Sequence, residues 1–111
     1  MKNTETHLIE NCPVEQLVRL IGDKWSLLII RDLMEGCHRF GELQKSVGNI
    51  SPRTLSARLS KMEEIGLVER RAYAEIPPRV EYSLTKKGVA LKPMLEAMRD
   101  YAEEWLTISV E

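Results

Sequence analysis

The fold is decided by residues 48–65, which read GNISPRTLSARLSKMEEI. Gly48 and Asn49 are typical turn residues, and they stand directly before a helix-start signal. In that signal Ser51 is the capping residue and Pro52 takes the first helical position, where its missing N–H costs nothing. The stretch therefore predicts a tight turn followed by a helix over 52–65.

The predicted helix over 52–65 has two different faces. Its apolar residues recur at steps of three and four and form one stripe, Leu55, Leu59, Met62 and Ile65. The opposite face is small, hydroxylated and basic, with Glu64 as its acidic exception. It consists of Arg53, Ala57 and Ser60, flanked by Thr54, Ser56 and Lys61. The stripe predicts packing against a core, which leaves the polar face pointing outward.

Two helices are predicted near the start of the chain. Pro13 opens the first helix, whose apolar residues follow helical spacing, and Gly22 ends it. Asp23 can cap the second helix, over 24–35, which has almost no polar face. We therefore expect the second helix to be the central strut of the core.

A short edge strand over 38–40 and a third helix over 41–47 lead into the turn. Phe40, Leu43 and Val47 mark one face of this third helix. The order of elements around the turn is therefore a helix, a tight turn and a second helix.

A β-hairpin is predicted after the helix over 52–65. Gly66 ends that helix, and residues 67–73 and 79–84 read as two strands. The loop between the strands contains Pro77 and Pro78. Apolar and polar residues alternate along the second strand, as a half-buried strand requires.

A long final helix is predicted over 86–107, with Thr85 as its cap. Its apolar residues repeat at three- and four-residue steps: Leu91, Met94, Leu95, Met98, Ala102, Trp105 and Leu106. Pro93 lies inside this pattern, so it should either kink the helix or mark its true start.

These elements predict one domain over 1–111 that is mainly α with a small β-hairpin (α+β). Its parts are the N-terminal helices (12–35), a helix-turn-helix (40–66), a hairpin (67–84) and the final helix (86–107). A basic hairpin that follows the second helix of a helix-turn-helix is a wing. The predicted fold class is therefore a winged helix-turn-helix.

Charge is divided unevenly along the chain. Between Cys37 and Lys92 there are eleven Lys or Arg and six Asp or Glu, whereas the rest carries five basic and eleven acidic residues. A DNA-facing half joined to an acidic half would show this asymmetry, although solvated faces alone also produce charge runs.

In a helix-turn-helix, the second helix enters the major groove of double-stranded DNA with its N-terminal residues nearest the base edges. The residues predicted to lie closest to bases are Arg53, Thr54, Ala57 and Arg58. Phosphate contacts are predicted for Ser51, Ser56, Ser60 and Lys61, and phosphate or minor-groove contacts for Arg71 and Arg79. Any of these could instead be an ordinary solvent residue, and Arg58 or Lys61 could pair with a neighbouring Glu.

Five runs of residues, in order, carry a resemblance to a known family. They are Cys12–Val14, Ile21–Ile29, Arg39–Leu43, Ile50–Ser56 and Pro77–Thr85. With these runs at this spacing, the chain resembles the HxlR-type transcription regulators over nearly its full length. Asp23 stands where that family often has glycine.

The resemblance implies a homodimer, built from the first and last helices, that presents two winged domains to a pseudo-palindromic operator. A final helix of about 20 residues, about 30 Å long, agrees with this, because a lone winged domain has no evident use for it. The alternative is that this helix folds back on its own core. We interpret the protein as a sequence-specific DNA-binding regulator, and we prefer a repressor because a small DNA-bound dimer can block polymerase.

The cysteines are candidates for redox sensing. Several HxlR-type proteins resemble redox or electrophile sensors with a cysteine just before the first helix, and Cys12 matches that position. Its modification would shift the dimer helices and so change operator binding, whereas the alternative is a quiet thiol. Cys37 is the second candidate. Cys12, Cys37, His7 and His38 lack the compact spacing of metal ligands, so we expect neither a metal nor a cofactor.

Other classes of function find little support in the sequence. There is no glycine-rich phosphate loop, no Gly-x-Ser-x-Gly elbow and no histidine paired with a nucleophile, so we expect no enzyme. Residues 1–10 read as neither a signal peptide nor a membrane span, and we expect a cytoplasmic protein. The remaining rival is a winged-helix protein-interaction module without specific DNA binding.

Overall fold

Six helices and three strands make up the part of the protein that its computed structural model describes, residues 12–106. The N-terminal half contains α1 (Pro13–Ile21), α2 (Lys24–Leu33), β1 (His38–Arg39), α3 (Phe40–Val47) and α4 (Pro52–Glu64). The C-terminal half contains β2 (Val68–Tyr73), β3 (Arg79–Leu84), α5 (Lys86–Val89) and α6 (Lys92–Trp105). No helix within the described range is long and apolar enough to cross a membrane.

Side-chain caps start the helices where the sequence predicts them. The Asp23 carboxylate accepts a hydrogen bond from the backbone N–H of Ser26 at 3.0 Å, which caps α2. The Ser51 hydroxyl accepts one from the backbone N–H of Thr54 at 3.1 Å, and Pro52 follows it as the first residue of α4. Each cap satisfies one of the donors that a helix leaves unpaired in its first turn.

The turn between α3 and α4 depends on left-handed backbone. Gly48 has a φ of 90° and Asn49 a φ of 52°, and Asn49 is the non-glycine residue of the described chain with a positive φ. Glycine and asparagine adopt this region at lower cost than other residues. The turn lets α4 leave α3 at once, which completes the helix-turn-helix.

The hydrophobic core is centred on α2, as predicted. Ile29 and Ile30 are fully buried there, and they belong to the same cluster as Leu43 of α3. The apolar stripe of α4 completes this cluster with Leu55, Leu59 and Met62, all of them buried. The opposite face of α4 is therefore the one that remains available.

The sheet has three antiparallel strands in the order β1-β3-β2. Within the hairpin, Val68 pairs with Leu84 and Tyr73 with Arg79, so β2 and β3 are in register along their full length. The predicted edge strand is present but ends at Arg39, because the Arg39 backbone N–H donates to the Glu42 carboxylate at 2.8 Å and α3 starts.

Of the two alternatives for Pro93 in the stretch 86–107, a kink or a true helix start, the structure shows the second. The structure has two helices there, α5 and α6, and Pro93 lies in the first turn of α6. Proline has no N–H to donate to a preceding turn, so it marks the start of α6 instead of continuing α5. The 14 residues of α6 give a length of about 21 Å, shorter than the predicted 30 Å. Thr107 lies outside the described residues.

The short helix α5 ties the base of the wing to the end of α4. The Thr85 hydroxyl donates to the carbonyl oxygen of Gly66 at 2.6 Å and accepts from the Gly88 N–H at 3.2 Å. Gly88 is buried, and a β-carbon at this position would overlap the carbonyl oxygen of Leu67. Only glycine fits this close approach of α5 to the Leu67 carbonyl. The start of the wing is therefore held against α5.

Candidate nucleic-acid interface

The outward face of α4 is exposed along its N-terminal half. Arg53, Ser56, Ala57 and Ser60 are all exposed, and Ser51 is exposed at the cap. Arg53 forms no ion pair with any residue between Cys12 and Leu106. A guanidinium with free donors at the first turn of a recognition helix has the geometry that base reading requires.

Three other predicted contacts on α4 are half-buried and already engaged. Arg58 Nε donates to Asp23 Oδ2 at 3.0 Å, and Lys61 Nζ donates to the carbonyl oxygen of Arg19 at 3.2 Å. The partner of Arg58 is thus an aspartate far away in sequence and not the neighbouring Glu that the sequence suggested. The Thr54 hydroxyl accepts from the Ser51 hydroxyl at 2.9 Å.

The pKa of the Asp23 carboxyl is lower than its ordinary value. Burial raises the pKa of this carboxyl, but hydrogen bonding from Ser26 and the charge and hydrogen bond of Arg58 outweigh burial and lower the pKa to about 2. Asp23 is therefore ionised throughout the physiological range, and its pairing with Arg58 persists there.

The two wing arginines that were predicted to contact DNA differ in the carboxylates that pair with them. Arg71 is exposed, and its guanidinium forms an ion pair with the Glu69 carboxylate at 3.4 Å. The Arg79 guanidinium lies 3.9 Å over the Tyr73 ring and pairs with Glu75 at 3.0 Å and Glu81 at 3.3 Å. Two carboxylates thus compensate the charge of Arg79, which suits closing the wing better than contacting phosphate.

Further exposed cations, Arg70 and Lys45 among them, lie outside the predicted set of DNA contacts. Arg70 on β2 and Lys45 on α3 are exposed, and neither forms an ion pair with a residue of the described range. Both belong to the excess of basic residues over 37–92. A count of charges over a region does not show which of these residues lack an ion pair. Strand alternation would have separated Arg70 from Arg71, since neighbouring residues face opposite sides of a sheet.

Both cysteines are free thiols in different surroundings. Cys12 is half-buried and directly precedes α1, where its carbonyl oxygen accepts from the Gln16 N–H at 2.9 Å. Cys37 is exposed, and its sulfur lies 3.7 Å from Glu81 Oε1 beside a small cavity of about 180 Å³. No group of three potential metal ligands occurs within residues 12–106. His7 lies outside them.

A family model described as HxlR-like helix-turn-helix matches residues 20–109. The chain belongs to this HxlR-like family. An uncharacterized HTH-type transcriptional regulator of Synechocystis sp. is 43% identical over 95 residues, which cover 86% of this chain and 70% of the relative. The family resemblance drawn from the five sequence runs is thereby confirmed.

Solved structures of regulators have the same fold. The reduced form of the transcriptional regulator YodB from B. subtilis has a TM-score of 0.76 and 38% identity, over 85% of this chain and 93% of YodB. The redox regulator HypR in its oxidized form has a TM-score of 0.78 and 36% identity, over 84% of this chain and 96% of HypR. This HxlR-like chain is therefore a winged helix-turn-helix, DNA-binding transcription regulator and not an enzyme.

Proposed function

We propose that this HxlR-like regulator is a dimeric repressor that reads a pseudo-palindromic operator with the exposed face of α4. The observation that carries the proposal is Arg53, exposed and unpaired within residues 12–106 at the first turn of α4. An arginine there can donate two hydrogen bonds to guanine, and a good bidentate pair discriminates by roughly 1 to 3 kcal/mol. Ala57 can contact a thymine methyl from the same face.

The proposed phosphate contacts surround this reading face. Ser51, Ser56 and Ser60 offer hydroxyls along α4, and Arg71 offers its guanidinium from the wing. Arg70 and Lys45 join this set because they are exposed and free of ion pairs within the described range. Arg79 is a less suitable contact, since Glu75 and Glu81 already compensate its charge.

Support for a dimer comes from apolar residues that the monomer leaves exposed on α1 and α6. Val14 is 70% exposed on α1, and Trp105 is 64% exposed on α6 together with Met98 and Tyr101. Met94 and Leu95 pack against the core at the start of α6, but no residue of this helix is fully buried, and its later apolar residues stay uncovered. An uncovered apolar face of this kind is typical of a protein–protein interface. Sedimentation equilibrium tests the proposed dimer, and a monomer at micromolar concentration would contradict it.

DNA reading is tested by selecting operators from a randomised duplex library and measuring their binding by fluorescence anisotropy. Arg53→Ala should lose the preference for the selected sequence. Arg53→Lys is the matched control, because lysine keeps the charge but lacks the planar fork that bonds guanine twice. We expect Arg53→Lys to keep the salt dependence of binding and to lose base discrimination at one position.

The rival interaction module predicts a different result. If the wild-type protein selects no sequence and its DNA binding does not weaken as salt rises, the surface of α4 does not serve DNA recognition. Phosphate binding would instead fall with a log–log slope near −0.9 per neutralised phosphate.

We further propose that Cys12 makes the regulator responsive to oxidants. In support, YodB has been solved both reduced and diamide-treated, and HypR is a redox regulator solved in an oxidized form. In this chain, Cys12 directly precedes α1, the helix proposed to lie at the dimer interface. With diamide, two Cys12 thiols would each give up one electron and one proton, forming a disulfide and reducing diamide to its hydrazine.

Mass spectrometry after diamide treatment tests this proposal. The wild type should show a crosslink or an adduct at Cys12 and a changed operator affinity, and Cys12→Ser should keep its operator affinity under diamide. Cys37→Ser is the matched control, and it should respond as the wild type does. If the wild-type protein shows no adduct and no crosslink, the thiol proposal fails.

A further inference from the structure

The recognition helix α4 is linked to the corner between α1 and α2 by two polar contacts. Arg58 Nε reaches Asp23 Oδ2 at 3.0 Å, and Lys61 Nζ reaches the Arg19 carbonyl oxygen at 3.2 Å. Arg58 and Lys61 are three residues apart, so they lie on the same side of α4 about one turn from each other. This side borders the exposed side that carries Arg53 and lies nearer the core.

The corner that receives these contacts is closely packed and hydrogen-bonded. A β-carbon at Gly22 would overlap the carbonyl oxygen of Val18, and the Gly22 N–H donates to that oxygen at 2.7 Å. Asp23 follows immediately and caps α2 through Ser26. Its carboxylate thus holds the start of α2 and the side of α4 at the same time.

Lys61 completes the link at the end of α1. The Arg19 carbonyl lies in the last turn of α1, where a helix leaves its carbonyl oxygens unpaired and carries partial negative charge. An ammonium group satisfies such an oxygen and is attracted by the helix end. Both contacts therefore join α4 to groups that form the end of α1 and the start of α2.

We propose that Arg58 and Lys61 are positioning residues that brace α4 against the α1–α2 corner, and that Arg58 contacts neither a base nor a phosphate. This inference rests on the proposed function, because it assigns roles to residues of α4, the helix proposed to read DNA. The brace fixes the angle of Arg53 and its neighbours relative to α1, the helix proposed for dimerisation. It therefore helps to set the separation of the two recognition helices on the operator.

The test is a double-mutant cycle on operator binding across a salt series. Asp23→Asn removes the charge but keeps the capping oxygen, because asparagine is a good N-cap. Asp23→Asn and Arg58→Gln should each weaken binding by about 2- to 5-fold, the range of an exposed ion pair. The double variant should be no weaker than the weaker single, with the salt slope unchanged throughout. The matched control is Arg53→Ala, whose effect should add to that of Asp23→Asn.

A direct DNA contact by Arg58 gives the opposite pattern and would overturn the inference. If Arg58 binds phosphate, Arg58→Gln reduces the salt slope by about 0.9, and Asp23→Asn, which frees Arg58, leaves binding unchanged or strengthens it. If Arg58 reads a base, Arg58→Gln relaxes preference at one position and Asp23→Asn does not.

Hydrogen exchange in the free protein separates this inference from the proposed function. Asp23→Asn and Arg58→Gln should each speed exchange of the α4 amides between Leu55 and Lys61 by about 2- to 5-fold, and the double variant by no more. Failure of the wild type to bind DNA would remove the proposed function but leave this measurement decisive. Unchanged exchange in both single variants would overturn the brace.

Discussion

Acidification should remove the stabilising contribution of Asp23, and replacing Asp23 by Asn isolates that contribution. The pKa of this carboxyl lies at about 2 in the folded protein, against an ordinary value of 3.8. A group whose pKa is lowered on folding stabilises the folded state above its unfolded pKa and loses that effect as the pH falls through the folded pKa. The window for Asp23 is therefore from about pH 3.8 down to about pH 2.

The magnitude follows from the displacement of the pKa and the exposure of the side chain. A shift of this size corresponds to at most about 2.4 kcal/mol at neutral pH. Because 37% of the Asp23 side chain remains exposed, solvent screening reduces the expected contribution to about 1 kcal/mol. Roughly half of it should remain at pH 3.

Urea unfolding of the wild type and Asp23→Asn, followed by circular dichroism between pH 6 and pH 3, measures this contribution. Both proteins are compared at one fixed concentration, because the stability of the proposed dimer would depend on concentration. The wild type should be more stable by about 1 kcal/mol at pH 6, and the difference should shrink towards pH 3. Asp23→Ser controls for the cap, since serine caps a helix without charge. A difference that stays constant or grows on acidification would refute the reasoning.

Three further predictions concern the proposed dimer face, the wing and the contact between α2 and α3. Trp105→Glu should turn the proposed dimer into a monomer in sedimentation equilibrium, because a buried interface does not accept an unpaired carboxylate. Normal far-ultraviolet circular dichroism would show that the fold is intact, and a variant that stays dimeric would contradict this prediction. Gly88→Ala should lower the melting temperature, because the added β-carbon would overlap the Leu67 carbonyl oxygen. The expected loss of folding free energy is about 1 to 3 kcal/mol, and an unchanged melting temperature would contradict this. Ser46→Ala should lower the free energy of unfolding in urea by about 1 to 3 kcal/mol, because the Ser46 hydroxyl donates at 2.6 Å to the buried Asp32 carboxylate. Ser46→Thr keeps a hydroxyl and should retain most of the wild-type stability.

The local structure of the proposed reading surface could be predicted from sequence because its signals are local. The Ser51 cap, the turn at Gly48 and Asn49, and the apolar stripe of α4 depend on residues within one or two helical turns of each other. The exposure of Arg53 follows from that stripe by helical periodicity alone. The division between α5 and α6 was only half predicted, since Pro93 is compatible with either a kink or a helix start.

By itself, the sequence determined the order of the helices, the wing and the family, because caps, turn residues and hydrophobic periodicity act over a few residues. Only the tertiary structure decided which cations of the reading surface are free. Arg58 finds its partner Asp23 at a distance of 35 residues along the chain, and a periodic pattern carries no information on such a pairing. Arg79 likewise is enclosed by Tyr73, Glu75 and Glu81 only once the hairpin has brought these side chains together. Whether a surface charge is available depends on which other charges the fold places within about 4 Å of it.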